Sequence, residues 1–501
     1  SRSLSMNYEV KGGEEAGVTQ IKPEIPTSHP TGFYFIFWGE FAERCSYYGM
    51  RAIMPLYLTG VLAFADARAS QVYFLFKMSA YLLPLLGGFL ADRYFGKYWT
   101  IVGFSLPYVL GHFILGIQTP AALYIALGLL ACGSGVIKPN ISTLMGMTYD
   151  QKRPGQEGLR TAAFLWFYFS INVGSLISLY GLPEIRDHLA HTKNEQPLMA
   201  ASTVALLASP DGQGPLLASS LLMPKRPVYG PLPWAYQMAF QFPAWLMVAA
   251  LLAFAAGKRH YAVEVIERKK KTPEERRQQW EVLATLFGVF FLMVFFWFAY
   301  EQNDSLWTFF ARDHMNRVVD LGFFRKEFAP DGFQFINAGL IILLVPFFGW
   351  MWRRVDPHGR RFPPATKILM GFFFTVAAFG LMALAGFAAT GAEKVSAWWL
   401  IFGFTLVTLG EIFVYGTGLE LAYAAAPASM KSFVTACFLL TIAGGDFLNI
   451  WIGPWYDSKM APGPFFAMTA GVVLAAAVAF YFVGRRLTRV TYARRAEASP
   501  G

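Results

Sequence analysis

A succession of apolar runs, each long enough to cross a lipid bilayer as a helix, limits what this 501-residue chain can fold into. A spanning helix needs about 20 mostly apolar residues, and every buried backbone group must be satisfied inside the helix. About twelve such runs are read, at 32–62, 71–91, 98–118, 121–147, 161–183, 234–257, 281–309, 333–352, 366–390, 396–426, 431–456 and 463–485. Composition agrees: only 15% of residues are charged, against about 25% in soluble domains, and mean hydropathy is +0.40. The expected class is an all-α polytopic membrane protein.

A net charge of +10 raises the question of a nucleic-acid partner. The basic residues, however, gather in alternate connections rather than on one soluble domain. Arg93 and Lys97, Lys152 with Arg153 and Arg160, Lys258 to Arg277, Arg353 to Arg361, Lys431 and Arg485 to Arg495 all fall on one side. This is the positive-inside pattern, which places both termini in the cytoplasm and argues against nucleic acid. The expected location is the cytoplasmic (plasma, or inner) membrane, crossed many times.

The runs divide six and six. Residues 1–30 read as an N-terminal tail, with a cloning remnant before Met6 and no cleavable signal peptide; 31–257 form a first six-helix bundle. Residues 258–280 form a charged cytoplasmic linker, 281–485 a second bundle and 486–501 a basic tail. Two six-helix halves around a midplane site suggest a secondary transporter. The connection 184–233 is far longer than a usual bundle loop and, with Pro210, Asp211 and glycines, reads as an external loop, a surface insertion or a cover over the cavity.

Charges inside the apolar runs are the functional clue, because each costs about 3 kcal/mol or more near the bilayer centre. Glu40, Glu43 and Arg44 share one helical face at spacings that let them pair, and Arg51 lies near it. Lys138, Glu301 and Glu411 add ionisable groups from both halves, and such a set implies a common hydrated cavity. Lys77, His112, Glu420 and Asp446 are put down to snorkelling, helix ends or local packing. Pro139, beside Lys138, and Pro55, Pro84, Pro107 and Pro346 allow bends, static or mobile.

Other chemistries find little support. No Gly-x-x-x-x-Gly-Lys-Ser/Thr loop is present to cradle nucleotide phosphates, and no His-Glu-x-x-His pair to hold zinc. His188 and His191 read as solvated residues of a polar loop. The three cysteines, Cys45, Cys132 and Cys437, lie within spans and read as small apolar filler rather than a disulfide framework. No nucleophile, base or metal constellation points to an enzyme, and no cofactor beyond protons is expected.

Glu40, Glu43, Arg44, Tyr47, Tyr48 and Gly49 fit the signature E-x-x-E-R-F-x-Y-Y-G, with Cys45 in place of the phenylalanine. Gly88 to Lys97, Phe167 to Gly174, Lys138-Pro139-Asn140 and Glu301-Gln302 also agree in order and span. Over about 31–485 the chain resembles the proton-dependent oligopeptide transporter family of the major facilitator superfamily. That resemblance implies a proton-coupled symporter importing di- and tripeptides by alternating access, acting as a monomer in the lipid bilayer. It assigns proton coupling to Glu40, Glu43, Arg44 and Glu301. It assigns a peptide's carboxylate to Arg51 and Lys138, its amine to Glu411, Asn172 and Asn337, and its backbone to Tyr48 and Tyr81. It further implies a cycle in which Glu301 first pairs with Arg51, while Glu40–Arg44 and Glu43–Lys138 pairs link protonation to helix movement.

The chain departs from the family pattern at Tyr415, where the tenth span usually has serine, and at Cys437, where the eleventh usually has an aromatic residue. Both are pocket variants. The nearest alternative is a proton-coupled carrier of the same fold for a non-peptide solute. A channel has no need of opposite charges on both halves of a closed pocket, and a signalling receptor is expected to carry a larger cytoplasmic domain.

Overall fold

The computed structural model describes residues 28–192, 233–264, 272–356, 362–389, 393–419, 421 and 431–497. The N-terminal tail to residue 27, most of the 184–233 connection, linker residues 265–271, Glu420 and the last four residues lie outside the described residues.

The described chain is mostly helical. Its long helices are α1 (Thr31–Gly60), α2 (Asp66–Leu90), α3 (Gly96–Leu115), α4 (Pro120–Lys152), α5 (Glu157–Thr192) and α6 (Pro233–Ala256). There follow α7 (Pro273–Tyr300), the short α8 (Leu306–His314), α9 (Phe335–Val355), α10 (Pro364–Ala388), α11 (Trp398–Glu411), α12 (Lys431–Ile452) and α13 (Pro462–Glu497). Ten stretches of the described residues are long and apolar enough to cross a membrane. One of them, Asp66–Leu115, contains both α2 and α3. Helix α1 is not among the ten, and it carries Glu40, Glu43, Arg44 and Arg51.

Local chemistry sets the helix ends. Thr119 accepts a hydrogen bond from the Ala122 amide at 3.2 Å and Pro120 follows it, an N-cap with proline at the first helical position. Between α2 and α3 the chain makes a π turn over Ala91–Phe95, and Gly96 takes φ +75°, a conformation glycine adopts without a Cβ clash. The freed amides of Lys97 and Tyr98 donate to the Glu264 carboxylate at 2.5 and 3.0 Å. A carboxylate there also complements the positive end of the helix dipole.

Two interruptions place site residues. The apolar run read as one span over 281–309 stops at Tyr300, and a 3-10 turn over Glu301–Asp304 precedes α8. Its polar groups are met from neighbouring elements. The Asn449 amide donates to the Phe298 carbonyl at 2.8 Å, Gln302 donates to Asn449 at 3.1 Å, and Gln334 donates to the Asp304 carbonyl at 3.0 Å. Broken helices are tolerated in a membrane only where protein meets the released groups in this way. The second interruption is a π turn, Ile412–Gly416, immediately after Glu411. Such turns widen a helix and often mark functional positions.

Helix α5 also runs past Pro183 to Thr192, so the connection expected from residue 184 begins later. The added turns carry Arg186, which is fully buried and ion-paired with buried Asp331. That contact anchors a segment that polarity alone reads as loop.

Helices α1 to α6 pack among themselves, as do α7 to α13, and α2 crosses α12 while α5 crosses α9. Contacts between the two groups gather toward one end of the bundle. Ala52, Leu179 and Ala338 form a small buried cluster there, and Gly453 packs on Phe74 at 3.1 Å from an added Cβ. Arg312 reaches Asp66 at 2.8 Å, and Lys326 reaches Glu184 at 2.8 Å. This end also carries a hairpin in which Val318–Asp320 pairs antiparallel with Arg325–Glu327. For Lys326 burial acts to lower the pKa, but hydrogen bonds from its ammonium to Glu184 and Tyr180 outweigh it, and the net shift is upward.

Helix α12 approaches α7 closely because glycine leaves room. A Cβ on Gly445 would lie 2.6 Å from the Phe298 nitrogen and the Trp297 carbonyl carbon, and backbone yields little. Gly445→Ala is therefore expected to destabilise the protein by about 1–3 kcal/mol, the range for overpacking. Thermal melting in detergent checks this, with Gly471→Ala as the control, since nothing lies within 4 Å of a Cβ there. Equal melting temperatures for the two variants would contradict the close crossing.

Candidate functional site

Side chains from α1, α2 and α4 meet those of α7, α9, α11 and α12 in three adjoining polar clusters. The first stands on α1. Arg44 binds Glu40 through Nε at 3.1 Å and also pairs with Glu43, and the Ser134 hydroxyl of α4 donates to Glu43 at 2.9 Å. All three charged groups are at most 5% exposed. The Glu40–Arg44 pair arises from the i, i+4 spacing.

The expected Glu43–Lys138 pair is not formed. Glu43 is engaged by Arg44 and Ser134, while Lys138 Nζ lies 4.1 Å from the centre of the Tyr47 ring and 5.0 Å from that of Tyr81. Cation–π contact replaces the ion pair. Among the described residues no carboxylate lies within 4.0 Å of Lys138.

The second cluster corrects the expected Arg51–Glu301 pair. Arg51 Nη2 binds Asp304 at 3.2 Å and lies over the Tyr48 ring at 4.7 Å. Glu301 instead pairs with Lys77, which also pairs with Asp304 and stands 4.0 Å from Asp446. Lys77 and Asp446 are completely buried. They are not snorkelling or end-of-helix residues but the centre of a contact between α2, the 301–304 turn and α12. A lysine cannot snorkel from this depth, and carboxylates on the opposing helices compensate its burial. The signal that could have found it is a lone lysine flanked on both sides by apolar residues, Tyr73 to Phe76 and Met78 to Pro84. Asp304 was missed because the polar run Glu301 to Ser305 was read as part of one continuous span over 281–309, whereas the helix breaks there and turns Asp304 inward beside Glu301.

The third cluster surrounds Glu411. Asn337 donates to Glu411 at 2.8 Å and to Thr408 at 3.0 Å, so Asn337 and Glu411, both named in the sequence, lie side by side. Tyr300, not singled out in the sequence, donates to the same carboxylate at 2.6 Å. Tyr48 of α1, Tyr168 of α5 and Tyr415 lie within electrostatic reach of Glu411. Among the described residues Glu411 has only neutral donors, with no cation within 4.0 Å.

Asn172 makes no hydrogen bond to Glu411 among the described residues. Its amide donates to the Tyr168 carbonyl on its own helix at 2.9 Å. Tyr415 packs edge-on to Trp297 with ring centres 6.0 Å apart and against Phe438 at 5.8 Å, which brings an aromatic wall beside Glu411. Cys437 lines an apolar groove between α7 and α12 with Trp280, Phe287 and Phe291, whose rings are exposed on the outside of the bundle. Cys437 therefore faces that groove rather than the polar clusters. Cys45 is buried, close to Ser178 of α5.

Residues 98–274 and 262–462 match the sequence pattern of the POT family, PTR2. The dipeptide and tripeptide permease B of Edwardsiella piscicida is 28% identical over 448 residues, covering 84% of this chain and 86% of the permease. A crystal structure of an auto-inhibited POT family peptide transporter superposes with a TM-score of 0.74 at 24% identity, over 91% of this chain and 97% of that one. A POT family transporter in complex with 5-aminolevulinic acid superposes with a TM-score of 0.72 at 20% identity, over 92% and 97%. The polar clusters thus lie in a helical fold shared with these structures, and the chain belongs to the POT family and is a membrane transporter, not an enzyme.

Proposed function

We propose that the protein imports di- and tripeptides across the cytoplasmic membrane together with protons, by alternating access between two six-helix halves. The observation that carries this reading is a pair of opposite charges lacking ionic partners among the described residues. Lys138 stands on α4 without a carboxylate, and Glu411 stands on α11 without a cation. A zwitterion with separated ends complements both. Its carboxylate goes to Lys138 and Arg51, its amine to Glu411 and Asn337, and its backbone to the Tyr48 and Tyr81 hydroxyls.

In the proposed architecture the chain crosses twelve times. Asp66–Leu115 crosses twice, as α2 and α3, and α1 spans despite its charges because they face the interior. Both termini lie in the cytoplasm, the positive-inside side. The outer end, with Arg312–Asp66 and Arg186–Asp331, is then the shut one. The carrier works as a monomer and needs no bound cofactor.

Proton coupling uses carboxylates whose protonation changes their pairing. Glu40 and Glu43 share Arg44, and Glu301 shares Lys77 with Asp304. Neutralising Glu301 leaves Lys77 to satisfy Asp304, which frees Arg51 for the substrate carboxylate; losing the proton inside reverses the exchange. One charge moved through 100 mV supplies about 2.3 kcal/mol. A tenfold accumulation takes only about 1.4 kcal/mol.

A second reading, a non-peptide solute carried on the same fold, has Tyr415 in its favour because that ring narrows the amine end. One structural relative binds 5-aminolevulinic acid, which also carries an amine and a carboxylate. Competition against labelled dialanine uptake in proteoliposomes tests the reading. N-acetyl-dialanine and dialanine amide should each compete about tenfold or more weakly than dialanine, since each loses a charge-assisted contact of about 1.5–3 kcal/mol. Equal competition by the blocked peptides would refute recognition of the two ends, and competition by amino acids but not dipeptides would favour the second reading.

A further inference from the structure

The buried contact around Lys77 contains more acid than base. Its cations are Lys77 of α2 and Arg51 of α1; its acids are Glu301 and Asp304 of the turn and Asp446 of α12. Lys77 and Asp446 show no exposure, and Glu301 and Asp304 no more than 6% of their side chains. Two positive charges cannot neutralise three negative ones, and an uncompensated ion is poorly tolerated in such surroundings. The contact as it stands is one proton short of neutral.

Geometry also says which carboxyl group is in excess. Glu301 and Asp304 both contact Lys77 directly, and Asp304 has Arg51 as well. Asp446 lies 4.0 Å from the Lys77 nitrogen, and neither of its oxygens has a hydrogen-bond partner among the described residues. The neighbouring phenols are Tyr73 of α2, whose ring centre lies 5.4 Å from Lys77 Nζ, and Tyr47 and Tyr48 of α1, whose ring centres lie 5.9 and 4.7 Å from the Arg51 guanidinium.

The geometry points to Asp446 as a proton-binding site that is filled when the outer end of the transporter shuts. Both cations belong to α1 and α2, and all three acids to the turn and α12. Opening the outer end draws the two sets apart and gives water access to the acids. Closing brings three carboxylates onto two cations, and one proton from the outside water goes onto Asp446. Release of that proton to the inside leaves an excess negative charge in the closed contact, which favours reopening. Protonation of Glu301 is a separate event, balanced by the substrate carboxylate that Arg51 then holds.

This inference rests on the proton-coupled reading above. Its test is the number of protons moved per dipeptide, read in proteoliposomes as the pH gradient that just balances a fixed dialanine gradient. Asp446→Asn should move one proton fewer per dipeptide than the unaltered protein. The same count for both would overturn the inference.

Infrared difference spectroscopy of the unaltered protein with isotopically labelled aspartate decides independently, whether or not the variant folds. The expected result is a carboxylic-acid carbonyl band that shifts with the label and is missing from Asp446→Asn when that variant can be made. Absence of any labelled acid band near neutral pH would overturn the inference. A protein that shows the labelled band but no gradient-driven dialanine uptake would sink the transport reading while leaving Asp446 protonated.

Discussion

Lys77→Met is expected to be the most damaging single substitution in the buried contact between α2, the 301–304 turn and α12. It removes the one cation that touches both Glu301 and Asp304 and leaves Arg51 alone against two buried carboxylates beside Asp446. Removing one partner of a buried pair typically destabilises by about 3–5 kcal/mol, because the partner left behind is desolvated and unpaired. Yield and melting temperature in detergent should both fall. Adding Glu301→Gln to Lys77→Met removes the stranded charge, leaving Arg51 paired with Asp304 beside the protonated Asp446, and should recover most of the loss, since these neighbours are coupled rather than additive. If Lys77→Met alone melted within a degree or two of the unaltered protein, the ionic account of the contact would be wrong.

Glu301→Gln should affect transport more than stability. A glutamine keeps the shape of the side chain and can still accept from Lys77, but it cannot gain or lose a proton. Arg51 would then no longer alternate between Asp304 and a substrate carboxylate in step with the gradient. Accumulation of dialanine under an inward proton gradient should drop from about tenfold or more to near equality across the membrane, while dialanine still equilibrates. Driven accumulation that survived Glu301→Gln would remove Glu301 from the coupling scheme.

Legibility in the sequence followed the range of the interaction. The Glu40–Arg44 pair could be read directly, since i, i+4 spacing on a helix decides it. Glu411 stood out as an acid in an apolar run and Asn337 was named beside it by the family resemblance, and the structure brings the two to 2.8 Å. The partners of Arg51 and Glu301 could not be read in the same way. They depend on where α1 and α2 meet the 301–304 turn, and no local spacing encodes that meeting. Lys77 therefore looked like a snorkelling side chain, although its neighbours on both sides are apolar.

The break at Glu301–Asp304 was hidden for a related reason. Apolar residues resume at Leu306 to Phe310 directly after the polar run Glu301 to Ser305, so the two helices read as one span, while the hydrogen bonds that compensate the break come from Asn449 and Gln334, far away in the chain. Helix α5 passes Pro183 because Arg186 finds Asp331 nearly 150 residues away, a separation of 145 positions. Tyr300 was overlooked because one aromatic among many in α7 carries no distinguishing mark until its hydroxyl meets Glu411.

The most direct test of the central claim is uptake of labelled dialanine by purified protein in liposomes with an acidic exterior and a negative interior. Proton-coupled peptide import predicts accumulation above equilibrium that a protonophore abolishes and unlabelled dipeptides of varied side chain compete away. Uptake that reaches the same level with the gradient collapsed, or that dipeptides fail to compete, would contradict it.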